Sequence, residues 1–172
     1  MDQVFLNPVQ ILKQLNLTKD MTAVDLGCGS GGWVLPLAKT LELGKVYAID
    51  LLPAPLSALQ SKARGQNLLN IETKVADIEK RINLPPASCD IVLMSNILFE
   101  CEDKQGVLAE VQRILRKEGQ ILIVDWEKDA PLGPKEERAS KEEIKQISQG
   151  LGLKITKEFK ASAYHYGLVL VK

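Results

Sequence analysis

Three aspartates in the first half of the chain each stand at the end of a short apolar run. Asp25 closes the run that begins at residue 22, Asp50 closes the next, and Asp77 follows residues 70–76. Carboxylates accept hydrogen bonds and attract positive charge, so a ligand that meets them should carry donors or a cation rather than phosphates. A single aspartate in such a place is ordinary as a solvated turn residue, but three in succession indicate one binding edge.

A glycine-rich turn follows the first aspartate. Residues 22–32 predict a buried strand, a tight turn and the start of a helix, because Gly27, Gly29 and Gly31 allow sharp backbone turns and close approach of a ligand. Gly27, Gly29 and Gly32 also fit the GxGxxG pattern of dinucleotide-binding folds, which is a weak signal alone. The preceding Asp25 favours S-adenosylmethionine over a dinucleotide.

Strands and helices that alternate along the chain must position these residues. Strands are predicted at 22–26, 45–50, 70–76, 89–95, 120–126, 154–159 and 164–171. Helices are predicted at the N-terminus, after the glycines, from Pro53 to Gly65, over 103–117 and from Ser140 to about 150–152. This βα alternation predicts an α/β, doubly wound parallel sheet, and the short gap between the last two strands requires an antiparallel hairpin.

Length and composition bound the function. With 172 residues and 45% hydrophobic content, we expect one domain over 1–172, with a short N-terminal helical segment at 1–20 and a possible lid loop at 127–139. Twenty-two basic and 22 acidic residues balance, which makes nucleic acid an unlikely partner. No signal peptide or membrane span is predicted, so we expect a cytoplasmic protein without a membrane partner. Three irregularly spaced cysteines and one histidine predict neither a disulfide framework nor a metal site.

The acidic-x-Gly-x-Gly-x-Gly pattern of Asp25, Gly27, Gly29 and Gly31 resembles the first motif of class I S-adenosylmethionine-dependent methyltransferases. Residues 115–125 and 133–138 look like small methyltransferases akin to those of quinone biosynthesis and arsenite methylation. The resemblance covers the whole chain and implies a seven-stranded Rossmann-like sheet of order 3-2-1-4-5-7-6, strand 7 antiparallel, with helices on both faces. It also implies S-adenosyl-L-methionine as cofactor and S-adenosyl-L-homocysteine as product.

The same resemblance implies roles for the cofactor residues. Asp25 would lie near the methionyl end, Asp50 would accept both ribose hydroxyls, and Asp77 would take the adenine amino group. Ile78 and Leu51 would pack on the two faces of the adenine. Asn96, just past the fourth strand, would approach the methionyl part through its backbone.

Methyl transfer from positive sulfur needs chiefly orientation, and a base only where the acceptor must lose a proton. Glu100 is the best-placed candidate base, although a solvated glutamate within the acidic stretch 100–103 is the more ordinary interpretation of it. At the acceptor side we expect Phe99, Trp126 and Tyr164 to contact substrate. Because side chains alternate along a strand, either His165 or the pair Tyr164 and Tyr166 faces the acceptor, and we favour His165 with Trp126 as a group that can exchange a proton near neutral pH.

Several functions remain open. The leading prediction is an enzyme that methylates a small molecule, acting as a monomer or homodimer. The second is a non-catalytic methyltransferase-like subunit that binds cofactor or a partner, and the third, disfavoured by Asp25, is a nicotinamide dehydrogenase. Enzymes that methylate amino groups of nucleic acids carry a Pro-Pro-aromatic signature, which is absent from residues 95–100. This absence argues against methylation of adenine or cytosine amino groups. Cys28 in the cofactor turn and Cys89 at the head of a buried strand argue against arsenite methylation.

Overall fold

A computed structural model describes residues 5–134 and 137–172, which form one seven-stranded sheet flanked by helices. The strand order is 3-2-1-4-5-7-6; strands 1 to 5 pair in parallel, and strand 7 runs antiparallel to both of its neighbours. The predicted architecture is confirmed. The strands are β1 (Thr22–Leu26), β2 (Lys45–Asp50), β3 (Ile71–Val75), β4 (Cys89–Ser95), β5 (Leu115–Trp126), β6 (Lys154–Lys160) and β7 (His165–Val171).

Five α-helices cover the two faces of the sheet. They are α1 (Pro8–Ile11), α2 (Val34–Thr40), α3 (Pro53–Gly65), α4 (Lys104–Ile114) and α5 (Lys141–Gly150). Helices α1 to α3 bury their apolar residues in one core cluster, and α4 and α5 in the other. Strand β4 is buried from Ile91 to Met94 because it lies in the middle of the sheet with helices on both sides.

The helix starts that the sequence predicts are capped as expected. The Asn7 side chain accepts from the Gln10 N–H, and the Ser140 hydroxyl accepts from the Glu143 N–H. Asp103 caps α4 in the same way. These caps supply partners for N–H groups that the first turn of a helix leaves without them.

Three predicted boundaries are wrong: the end of α4, the start of β5, which is Leu115 rather than 120, and the start of β7. Helix α4 ends at Ile114 rather than 117, because Leu115 is buried and already pairs with Cys89 of β4. The predicted turn at Glu118 therefore lies within β5, where Glu118 has a positive φ of 63° and the β4–β5 register shifts. Strand β7 begins at His165 rather than Tyr164.

Among the helices that the structure describes, none is both long enough and apolar enough to cross a bilayer.

The first predicted helix continues as a 3-10 turn, Leu12–Gln14. Ile11, Leu12 and Leu15 are buried against the face of the sheet that α2 and α3 also cover. The N-terminal segment is therefore part of the core of the fold as far as Leu15.

Candidate active site

A cavity of about 430 Å³ opens at the carboxyl ends of β1 to β4, the edge where ligands bind in open α/β sheets. Its lining residues come from the glycine loop, the ends of β2 and β3, and the turn after β4: Gly27, Gly29, Asp50, Leu51, Leu52, Pro55, Ala76, Asp77, Ile78, Glu79, Asn96, Ile97, Glu100 and Cys101. A wider, shallower depression lies between α2 and the start of β3. It contains none of the predicted site residues.

The glycine loop is held against the end of β2 by its own backbone. The N–H groups of Gly27 and Cys28 both donate to the Ile49 carbonyl, at 2.8 and 3.0 Å. Gly27, Gly29 and Gly31 have positive φ values of 72°, 52° and 87°, which other residues adopt at a cost. A Cβ on Gly31 would lie 2.3 Å from Leu59, whereas one on Gly29 would meet nothing within 4 Å. Gly29 thus faces open space beside the cavity.

Asp50 links β2 to the glycine loop. One carboxylate oxygen accepts from the Gly29 N–H at 2.8 Å, and the other accepts from the Leu52 N–H at 3.0 Å. A carboxylate oxygen can accept more than one hydrogen bond, so both keep acceptor capacity toward the cavity. The side chain is half-buried and pre-oriented for a ligand with hydroxyl donors.

The cavity is also lined by residues that follow the ends of β2 and β3, namely Leu51, Asp77 and Ile78. Asp77 accepts from the Glu79 N–H at 3.0 Å and lies 3.3 Å from the Lys80 ammonium. Ile78 is buried, while Leu51 is largely exposed at the cavity mouth. These three lining residues thus give the cavity two apolar side chains and one carboxylate.

Two acceptor atoms near the cavity have no hydrogen-bond partner among the residues that the structure describes. They are Asp25 Oδ2 and Asn96 Oδ1, both buried. Asp25 is only 1% exposed and does not itself line the cavity. Burial, reinforced by the nearby charge of Asp50, raises the pKa of the Asp25 carboxyl well above its usual range. Buried acceptors without donors are uncommon, and a ligand that carries donors would satisfy them.

The turn after β4 forms one wall of the cavity. Asn96 has a positive φ of 53°, and the chain then makes a 3-10 turn over Leu98–Glu100. Ile97 from this turn packs on the glycine loop, because a Cβ on Gly27 would lie only 2.7 Å from Ile97 Cδ1. Glu100 is exposed and lines the cavity, whereas Phe99 is half-buried and does not.

Trp126 and His165 lie side by side on the adjacent strands β5 and β7. They are paired in register, and their ring centroids are 4.0 Å apart. The predicted alternation holds, since Tyr166 packs in the core cluster on the opposite face and donates to the Ala139 carbonyl. Neither ring lines the cofactor-sized cavity, and nor does Tyr164.

The Arg138 side chain binds the backbone of the segment after β5 and lies beside the Trp126 ring. Its guanidinium donates to the carbonyls of Glu127, Ala130, Leu132 and Pro134 at 2.8 to 3.3 Å and lies 5.7 Å from the Trp126 ring centroid. A Cβ on Gly133 would lie 2.6 Å from that ring. The described part of the predicted lid loop therefore packs on Trp126; Lys135 and Glu136 of that loop lie outside the described residues.

The expectation that His165 titrates near neutral pH is wrong. Burial, with a smaller effect from the Arg138 guanidinium, lowers its pKa to about 4. Its Nδ1 lies 2.7 Å from the Ser162 hydroxyl, and its buried Nε2 has no partner within the protein. The imidazole is therefore neutral at physiological pH and a weak base.

The sequence alone did not reveal two groups at this edge, the buried Asp125 and the half-buried Arg138. Asp125, 1% exposed, accepts from the N–H groups of Trp126 and Leu98, and Arg138 organises the neighbouring loop. Asp125 follows an apolar run, as do the three aspartates that were predicted, so its position was a usable signal. Arg138 carried none, because the carbonyls that it binds are a property of the folded loop.

All three cysteines are buried free thiols. Burial raises the pKa of the Cys28 thiol above its usual range and that of Cys101 to about 12, so neither is a reactive thiolate near neutral pH. Within residues 5–134 and 137–172, no three potential metal ligands converge.

The family described as "Methyltransferase domain" matches residues 24–123. A demethylmenaquinone methyltransferase from Lactobacillus johnsonii is 33% identical over 120 residues, which is 67% of this chain and 48% of that protein. The chain spans about half the length of the demethylmenaquinone methyltransferases that it matches.

Among solved structures, a SAM-dependent methyltransferase from Aquifex aeolicus superposes with a TM-score of 0.88 at 28% identity, covering 97% of this chain and 90% of that one. The [4+2]-cyclase SpnF superposes with a TM-score of 0.84 at 13% identity, covering 96% and 79%, and shares the fold alone.

Proposed function

The chain belongs to the class I S-adenosylmethionine-dependent methyltransferase family, and we propose that it binds S-adenosylmethionine in the cavity at the carboxyl edge and methylates a small molecule. The observation that carries the proposal is the chemistry of this cavity. Its walls present the carboxylates of Asp50 and Asp77, and the buried oxygens of Asp25 and Asn96 beside it have no donor. Such a site selects a ligand that is rich in donors and carries positive charge.

Different residues in and beside the cavity would hold the ribose, the adenine and the methionyl parts of the cofactor. Asp50 would accept the ribose hydroxyls, since its two oxygens are already oriented by the Gly29 and Leu52 N–H groups. Asp77 would accept from the adenine amino group, with Ile78 and Leu51 on the two faces of the ring. Asp25 and Asn96 would serve the methionyl end, and the open side of Gly29 leaves room for close approach.

When bound, the cofactor supplies an electrophilic methyl group on positively charged sulfur. The protein's contribution is then to hold the acceptor in line with that methyl group and to exclude water. Glu100 on the cavity wall would take a proton from an acceptor that must lose one. His165, neutral beside Trp126, would orient the acceptor by a hydrogen bond from or to Nε2 rather than act as the base.

Phe99, Trp126 and Tyr164 would form the apolar wall on the acceptor side. Trp126 is covered on one side by Gly133 and Arg138, which would make the loop at 127–139 the boundary of this site. Demethylmenaquinone, the acceptor in the name of the relatives, is the first candidate to test.

A second candidate is a non-catalytic subunit that binds the cofactor or a partner. One observation favours it: Trp126 and His165 contact each other rather than the cavity. A nicotinamide dehydrogenase is a weaker candidate, since the acidic cavity would repel a pyrophosphate.

Calorimetric titration with S-adenosylhomocysteine and with NAD separates these readings. We expect S-adenosylhomocysteine to bind and NAD not to; binding of NAD alone would overturn the proposal. Turnover of S-adenosylmethionine with demethylmenaquinone, phenols, thiols and amines then distinguishes an enzyme from a subunit. Binding without turnover of any acceptor would favour the subunit.

A further inference from the structure

The Asp125 carboxylate lies buried between β5 and the turn that follows β4. One oxygen accepts from the Trp126 N–H at 2.8 Å and the other from the Leu98 N–H at 3.1 Å, while the Phe99 N–H also stabilises the charged form. The Leu98 and Phe99 N–H groups are the first two of the 3-10 turn Leu98–Glu100. Ile97, the residue before that turn, makes no side-chain cap. Asp125, on the neighbouring strand β5, therefore caps this turn.

That turn is in direct contact with the cofactor cavity. Ile97, Glu100 and Cys101 form part of its wall, and Ile97 packs against the glycine loop at Gly27. A displacement of the turn would therefore move both the cavity wall and the loop beneath it.

We propose that Asp125 is the positioning residue for this wall: by holding the turn Leu98–Glu100 it fixes Ile97 against the glycine loop and sets the affinity for the cofactor. The proposal rests on the proposed cofactor site but adds a residue that lies outside the cavity lining and touches no ligand. It assigns a role to a buried carboxylate that needs a reason to be ionised.

Asp125 should hold the turn only in its charged form. Burial raises its pKa to about 6, against the lowering effect of the three N–H groups. The ionisable groups around it are Glu100 from the turn, whose charge raises the pKa further, Cys101 beside the turn and Tyr166 of β7. The thiol and the phenol are neutral because burial raises the pKa of each. Below about pH 6 the carboxyl gains a proton, and one of its oxygens becomes a poor acceptor for the turn.

The test compares Asp125→Asn with Asp90→Asn. Asp90 is a matched control, since its carboxylate also accepts a backbone N–H from a neighbouring strand, that of Thr22 at 2.8 Å, but from the start of β4, far from the cavity. We measure amide hydrogen exchange at Leu98 and Phe99 without ligand, and the dissociation constant for S-adenosylhomocysteine from pH 5 to 7.5.

We expect Asp125→Asn to speed exchange of these two amides roughly tenfold and to weaken binding roughly fivefold at pH 7.5, since a hydrogen bond to a charged group is lost. The parent's affinity should fall more steeply below about pH 6 than that of Asp125→Asn, in which only the other carboxylates, such as Asp25, still titrate. Asp90→Asn should change neither measurement. Unchanged exchange at Leu98 and Phe99, or an unaltered pH profile of affinity, would overturn the proposal.

Two further arms keep the outcome decisive. If Asp125→Asn does not fold, exchange in the parent, corrected for the intrinsic pH effect, must still quicken at Leu98 and Phe99 as the pH falls below about 6. A flat profile there overturns the proposal. If the parent binds no S-adenosylhomocysteine, the proposed function fails, and the exchange measurements alone decide the role of Asp125.

Discussion

The carboxyl edge of the sheet has two halves that are built differently. In the cofactor half, the ends of β1 to β4, polar side chains surround a cavity and two buried oxygens have no partner. In the acceptor half, the ends of β5 and β7 with the loop from Glu127, the side chains contact mainly one another: Trp126 packs on His165, and Arg138 donates to five loop carbonyls. The cofactor half thus has a cavity ready for a ligand, whereas the acceptor half is largely satisfied by its own contacts, apart from the buried Nε2 of His165.

Because of this difference, the cofactor half contributes mainly to the free energy of ligand binding, and the acceptor half mainly to the free energy of folding. Unsatisfied acceptors in the cofactor half cost folding free energy that a bound ligand can recover. Arginine-to-carbonyl hydrogen bonds in the acceptor half stabilise the fold and leave those groups paired, so that His165 Nε2 is the group there that a ligand could still satisfy. Substitutions in the first half should act on binding, and those in the second on stability.

The largest effect should come from Asp50→Ala in the cofactor half. The substitution removes the acceptor for the Gly29 and Leu52 N–H groups, and under the proposed function it also removes the acceptor for both ribose hydroxyls. We expect the affinity for S-adenosylhomocysteine, measured by calorimetry, to fall by about 3 kcal/mol, roughly a hundredfold. Glu72→Ala, which removes an exposed carboxylate on the neighbouring strand β3, is the control and should bind normally. An Asp50→Ala protein that binds like the parent would remove Asp50 from the cofactor site.

The glycine loop offers a sharper contrast between two neighbouring positions. Gly31→Ala should lower the free energy of unfolding by about 3 kcal/mol, because the new Cβ would lie 2.3 Å from Leu59 and φ is 87°. Gly29→Ala should lower it by only about 1 kcal/mol, since only the backbone strain at φ 52° applies. In ligand titrations Gly29→Ala should nevertheless bind more weakly, because its Cβ would point into open space beside the cavity. Equal denaturation midpoints for the two variants would contradict this geometry.

The fold could be predicted from the sequence more fully than the element boundaries or the environment of individual side chains. The strands and the antiparallel β7 follow from local patterns, namely apolar runs and the short gap between the last two strands, whereas the strand order followed from the family resemblance. Aspartates at strand ends also indicated two residues that line the cavity, Asp50 and Asp77. The boundary at Leu115 could not be predicted, because its pairing with Cys89 outweighs a helical pattern that continues to 117. Nor could the environment of His165, since its lowered pKa depends on burial and on Arg138, 27 residues away in the chain.

In the acceptor half, Arg138→Gln should act on stability. The loop carbonyls lose a charged donor, so we expect the free energy of unfolding to fall by about 2 kcal/mol in urea denaturation. The affinity for S-adenosylhomocysteine should stay within about twofold of the parent, because Arg138 does not line the cavity. Lys128→Gln, in the exposed part of the same loop, is the control for the loss of one positive charge. A large loss of cofactor affinity in Arg138→Gln would mean that the two halves are coupled.

The smallest effect should be the pH dependence that His165 confers on stability. Its folded pKa of about 4 lies below the value of 6.5 for an unperturbed imidazole, so the unfolded chain binds the proton first as the pH falls. Its contribution is therefore fully present above about pH 6.5 and is lost progressively toward pH 4. Between pH 7 and 5.5 this loss should be about 1 kcal/mol in the parent, and it should be absent in His165→Gln. Urea denaturation at the two pH values measures the difference.

The chain has one histidine, so its imidazole signals in an NMR titration belong to His165 alone. They should show a midpoint near pH 4 in the parent and a higher midpoint in Arg138→Gln, because the guanidinium disfavours the imidazolium. Asp125 opposes the stability effect over part of the same range, since its raised pKa stabilises the fold at low pH and that contribution is lost as the pH rises through about 6. The comparison must therefore be made between parent and His165→Gln at each pH, where the contribution of Asp125 cancels. A midpoint near 6.5 in the parent would show that His165 is solvated and that the acceptor half is open.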